Sequence, residues 1–174
     1  MDAAIIGPMA ESARYVGVVG PSDASDGELA VAEAVGQRLG GAGWIVVCGG
    51  LGGVMAAACR GAQAAGGMTV GLLPGMSRAA GNPHLTVSLP TGLGEMRNGL
   101  LVRASDALVA VGGSWGTLSE IALALRTGRP VIGLGTWGVD TGDRAAPAVI
   151  PVSDVDDVVV AVRSALALPE PDGG

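Results

Sequence analysis

The chain has 174 residues, a net charge of −6 and 49% hydrophobic residues, enough to bury the core of about one domain. The acidic balance weighs against nucleic acid as a partner, which calls for a basic stripe. No run approaches the roughly 20 apolar residues of a membrane span, so no membrane partner is expected.

The N-terminus has no basic residue before Ile5 and Ile6, so it does not read as a secretion signal, and a cytoplasmic protein is expected. Residues 1–13 lack a clear period and are expected to form a loosely ordered arm. Residues 15–20 are a short β-rich run ending in Gly20. Ser25 and Glu28 have the spacing of a capping box, which opens a helix through Leu39 before Gly40, Gly41 and Gly43 stop it. Residues 44–48 predict a second strand, followed by the turn Gly49-Gly50-Leu51-Gly52-Gly53 and an alanine-rich helix to Ala65. Residues 68–73 predict a third strand, halted by Pro74, with an irregular loop over 75–83 and a short strand over 85–89.

Residues 95–104 read as a helix and 107–111 as a strand, followed by the turn Gly112-Gly113-Ser114-Trp115-Gly116. A helix is predicted from Thr117 to Arg126, a strand over 131–134, a loop over 135–148 and a last strand over 149–152. A closing helix over 154–168 precedes a frayed tail at 169–174, so residues 14–168 are expected to form the one folded unit. The strands are continuous apolar runs, as strands covered on both faces are. Their alternation with helices predicts an α/β fold, an open parallel sheet of about six or seven strands with helices on both faces.

All ten basic residues are arginine, which excludes an enzyme-borne Schiff base and a P-loop lysine. His84 is the only histidine, and Cys48 and Cys59 are the only cysteines. No metal site, disulfide framework or resident cofactor is expected from so few ligands. Ligands of open parallel sheets bind beyond the carboxyl ends of the strands, where the strand order reverses. Gly20 and the two glycine turns all fall at that edge, and a helix N-terminus there binds phosphate through unpaired amides. The candidate phosphate and nucleotide contacts are therefore Gly20, Ser22, Gly49, Gly50, Gly52, Gly53, Gly112, Gly113, Ser114, Gly116 and Thr117. Glycine for sterics alone would explain one such turn; two at one edge favour a ligand. Trp115 either covers that ligand or fills an interface, and Asp106 caps or pairs at a strand start.

The segment Val111-Gly-Gly-Ser-Trp-Gly-Thr-Leu-Ser-Glu120 resembles the PGGxGTxxE signature of the "lonely guy" family. That family hydrolyses the N-glycosidic bond of nucleoside 5′-monophosphates. Residues 48–55 are similar to its second glycine loop, and residues 71–74 to its next strand end. Thr91-Gly92, Arg97-Asn98 and Ser105-Asp106 are closer to a small bacterial branch of the same Rossmann-like superfamily, which includes molybdenum-cofactor carriers. Members often bear the label "possible lysine decarboxylase", which does not fit a chain without lysine.

The resemblance implies that Glu120 and Arg97 form a catalytic pair acting on the ribose, with Asn98 beside them in the nucleotide site. A carboxylate near the ribose stabilises the positive charge that grows as the bond breaks. Val111, Ser119, Asn98 and Asn82 depart from the hydrolase pattern, which has proline, a second glutamate, lysine and an acidic residue there. The changes at Ser119, Asn98 and Asn82 remove charge around the scissile bond. On the residues alone, Thr117 and Glu120 also have capping-box spacing, so Glu120 reads either as a cap or as a ligand contact. Two functions follow: a phosphoribohydrolase, favoured because both motif residues survive, or a carrier or sensor of a nucleotide or molybdopterin-type cofactor that performs no reaction. The leucines and valine around residues 96–104, with the resemblance, imply a homodimer or larger assembly.

Overall fold

The computed structural model describes residues 14–139, 142 and 147–169. The expected arm at 1–13, residues 170–174 of the expected tail, and most of the second half of the 135–148 loop lie outside them. The elements alternate in chain order: β1 (Tyr15–Val19), α1 (Asp26–Gly41), β2 (Ile45–Cys48), α2 (Val54–Ala64), β3 (Thr69–Leu73), β4 (Val87–Pro90), α3 (Asn98–Ala104), β5 (Ala107–Val111), α4 (Trp115–Arg126), β6 (Val131–Leu134), β7 (Ile150–Pro151) and α5 (Val158–Ala165). The strands form one sheet in the order β4-β3-β2-β1-β5-β6-β7, with every pairing parallel. This is the expected Rossmann-like α/β domain.

Parallel strands need crossovers, and the crossovers here are helices that cover both faces. On one face α1, α2 and α5 bury Ala32, Val35, Leu39, Ala58, Ala62, Val158 and Val162 against Val16, Val18, Val46, Val109 and Ile132 of the strands. On the other, α3 and α4 bury Leu101, Val102, Ile121, Ala124 and Leu125 against Val19, Val47, Leu108 and Ala110. Every residue of β5 is buried, which is why its sequence is apolar without alternation. The outer strands are short or polar on one side, and Pro90 sits in the edge strand β4, where its missing N–H costs no ladder bond.

The capping box of α1 forms: Ser25 Oγ accepts from the Glu28 amide at 3.3 Å and Glu28 Oε2 accepts from the Ser25 amide at 2.8 Å. Helix α4 starts at Trp115, not Thr117, because Ser114 is its cap; Ser114 Oγ accepts from the Thr117 amide at 3.2 Å. Glu120 therefore lies in the second turn, away from any capping role. The expected helix over 95–104 divides into a 3-10 turn, Gly94–Arg97, and α3. Within that turn Arg97 is the buried residue. β4 begins at Val87 instead of residue 85, since Thr69 and Thr86 exchange amide-to-hydroxyl bonds of 3.1 and 2.8 Å before the ladder starts. β7 is two residues long, and α5 follows a 3-10 turn, Val155–Asp157, capped by Asp154. Among the described residues no helix is long and apolar enough to cross a membrane.

Candidate functional site

The strand order reverses between β1 and β5, whose carboxyl ends are Val19 and Val111. A cleft of about 900 Å³ opens at that edge. Of the residues singled out in the sequence, Gly20, Ser22, Gly49, Arg97, Asn98, Ser114, Gly116, Thr117 and Glu120 line it. Gly50, Gly52, Gly53, Gly112 and Gly113 are not among the lining residues and shape the turns behind it. Gly112 has φ +63, and a Cβ there would collide with the Glu28 carboxylate. Glu28 thus joins the start of α1 to the β5 turn. The Ser25 amide, the Ser25 hydroxyl and the Gly113 amide hold its carboxyl below the usual range.

The first turn of α4 is one wall. Ser114 engages the Thr117 amide and lies 2.9 Å from Thr117 Oγ1. The amides of Trp115 and Gly116, in the first two helical positions, have no intrahelical acceptor and carry the positive end of the helix dipole.

Arg97 is the other polar wall. Its side chain is 10% exposed and its Nε lacks a hydrogen-bond partner. Nη1 donates to Asn98 Oδ1 at 2.5 Å and stands 3.6 Å from Glu120 Oε1. The guanidinium packs against Gly49, where a Cβ would come within 2.7 Å of Cζ. Glu120, 9% exposed at the side chain, has its carboxyl pushed up to about 7 by burial, against the pull of Arg97. The tertiary structure thus brings together the motif arginine and glutamate, 23 positions apart in the chain.

Other residues singled out in the sequence take structural posts. The Asn82 side chain donates to the Gly50 and Leu51 carbonyls at 3.3 and 3.1 Å, bracing the second glycine turn. The His84 amide donates to Asn82 Oδ1 at 3.0 Å. Asp106 Oδ2 accepts from the Tyr15 amide at 2.9 Å, so it joins β1 to the start of β5. Cys48 and Cys59 are buried thiols with Sγ atoms 3.5 Å apart. Among the described residues no group of three or more His, Cys, Asp or Glu is placed to hold a metal ion. Sequence reasoning missed the apolar lining from Leu51, Met55, Pro74, Met96 and Leu123. Leu51, Met55 and Pro74 lie in segments read for their glycines and strand end, Met96 and Leu123 lie in none, and the crossovers deliver all five to one cleft.

The model of the SLOG cluster4 family matches residues 13–162, and the chain belongs to this family, within the Rossmann superfamily of "lonely guy" and molybdenum-cofactor-carrier proteins. The molybdenum cofactor binding protein of Rippkaea orientalis superposes with a TM-score of 0.81 at 32% identity, covering 89% of this chain and 98% of that one. The molybdenum cofactor carrier protein of Chlamydomonas reinhardtii gives 0.78 at 36% identity, over 89% and 99%. A cytokinin riboside 5′-monophosphate phosphoribohydrolase of Mycobacterium tuberculosis is 33% identical over 67% of each chain.

The preference for a phosphoribohydrolase is corrected by these likenesses. The cofactor-binding and carrier structures cover 89% of this chain and nearly all of their own, whereas the hydrolase matches two thirds. The raised Glu120 carboxyl does not restore the enzyme reading, because buried ion pairs perturb acidities as catalytic sites do.

Proposed function

We propose, with this family membership as the premise, that the protein binds and carries a phosphorylated heterocyclic small molecule of the molybdenum-cofactor or nucleotide class and releases it unchanged. The observation that carries this reading is the Arg97 guanidinium, held almost wholly buried in the wall of the cleft that it shares with the α4 N-terminus. The part of that guanidinium which reaches the cleft would give a phosphate charge-assisted hydrogen bonds, and the α4 amides would complete the anion seat. Asn98, Ser114, Thr117 and Ser119 add neutral hydrogen-bonding groups around it. Likeness to the cofactor binding protein of Rippkaea and the cofactor carrier protein of Chlamydomonas supports carriage over reaction.

The test is co-purification from cells that make the molybdenum cofactor, with molybdenum read by mass spectrometry and pterin by fluorescence after oxidation. The parent protein is expected to carry both. Arg97→Met, paired with Glu120→Gln so that no buried carboxylate is left alone, is expected to lose about tenfold or more of the load. Full loading of that double variant, or release of free base from nucleoside monophosphates by the parent, would overturn the reading.

A further inference from the structure

The chain has three tryptophans, one tyrosine and no phenylalanine, so each aromatic ring's position is informative. Trp44 is buried in the core, 5% exposed, with the Arg163 guanidinium 5.4 Å from its ring centroid. Tyr15 opens β1, at the end of the sheet opposite the cleft. The other two tryptophans meet at the cleft. Trp115, the first residue of α4, lines it and is 79% exposed. Trp137 lies 5.5 Å from it, centroid to centroid, with the ring planes tilted by 30°. One exposed tryptophan is ordinary; this one has a fixed support. Trp137 Nε1 donates to the Ser114 carbonyl at 3.3 Å, and its indole rests on Gly113, where a Cβ would stand 2.7 Å from Nε1. Gly113, which is not among the residues lining the cleft, thus seats Trp137.

We propose that the Trp115 indole, backed by Trp137, is the stacking surface for a fused planar heteroaromatic ring, a purine or a pterin, whose phosphate is held at Arg97 and the α4 N-terminus. The inference rests on the phosphate-binding reading above and specifies the rest of the ligand. The same turn that presents the anion seat carries the indole, so a ring joined to a phosphate by a short linker reaches both. Met96, 80% exposed and lining the cleft, adds a polarisable apolar side chain that adapts to a flat ring. Stacking tolerates any π-face, so Trp115 selects for ring-bearing ligands and leaves the choice among them to polar contacts.

The test compares guanosine 5′-monophosphate, whose base shares the fused amino-oxo pyrimidine of a pterin, with ribose 5-phosphate, using calorimetry and tryptophan emission on the full chain. The parent is expected to bind the nucleotide more tightly than the sugar phosphate, with quenching. Trp115→Leu should lose about 5- to 150-fold for the nucleotide, the range of one base–aromatic stack, keep its affinity for ribose 5-phosphate and show no quenching. Trp115→Phe should recover most of the nucleotide affinity. Equal affinities of parent and Trp115→Leu for the nucleotide would overturn this inference alone. So would a Trp115→Leu protein whose only change, by sedimentation, is loss of self-association. A parent that binds neither probe would overturn the phosphate reading and this inference together.

Discussion

At the scale of single residues, Glu120 and Gly49 have separable, measurable consequences. Burial raises the Glu120 carboxyl from 4.5 to about 7, so between those values the folded protein holds a proton that the unfolded chain releases. The stabilisation from that proton is fully present below about 4.5 and is lost as pH rises through 7. The difference across the window is on the order of 3 kcal/mol. Glu120→Gln should flatten this fall: melting temperatures of parent and variant, compared from pH 5 to 8, should diverge in slope. Parallel curves would show that Glu120 is not desolvated. Gly49 addresses the neighbouring group. Its backbone is open to any residue, yet an added methyl would displace the Arg97 guanidinium, a flexible side chain. Gly49→Ala should therefore fold normally and bind guanosine 5′-monophosphate about tenfold more weakly by calorimetry. Unchanged affinity would remove Arg97 from the anion seat.

At the scale of elements, the tightest contact is between α1 and α2. A Cβ at Gly36 would collide with the Ala58 carbonyl, one at Gly61 with the Glu33 carbonyl, and one at Gly40 would come within 2.7 Å of the Ala62 carbonyl. Small residues let the two backbones approach until no side chain separates them. This sets a contest between helix propensity and packing. Alanine is the better helix former by about 1 kcal/mol, while overpacking a rigid backbone contact costs about 1–3 kcal/mol or more. Packing wins, so Gly36→Ala should destabilise the protein by about 2 kcal/mol in urea unfolding. A stabilised variant would mean that the helices can separate freely. Ser25 is a milder case at the same helix. Ser25→Ala removes the half of the capping box made by the Ser25 hydroxyl, leaves the bond from the residue-25 amide to the Glu28 carboxylate, and should cost about 1 kcal/mol.

At the scale of the whole molecule, strand order converts separate turns into one cleft. All seven strands run the same way, so each glycine turn after a strand lies at the same edge. The reversal between β1 and β5 leaves a gap there that no crossover covers. Leu93, Met96 and Leu100 stay exposed on the segment leading into and along α3. Apolar side chains this large, clustered in eight residues, are expected to be covered by a second copy of the chain. Light scattering at micromolar concentration should then give a dimer or larger, and a monomer would contradict the expectation.

The class of fold is legible along the chain, because strand length, apolar continuity and cap chemistry are local properties. Ser25 and Glu28 announced the start of α1, and the apolar run of β5 announced a strand buried on both faces. The turns at Gly49 and Gly112 marked the edge where a ligand would sit. Local spacing misled where two caps competed: Thr117 and Glu120 have capping-box spacing, but Ser114 supplies the oxygen earlier and frees Glu120 for the interior. Which turns meet, that Arg97 lies against Gly49 within 3.6 Å of Glu120, and that Trp137 backs Trp115 emerge from the folded arrangement alone. Those adjacencies depend on strand order and on how closely neighbouring backbones approach, and neither is written in the spacing of residues along one element.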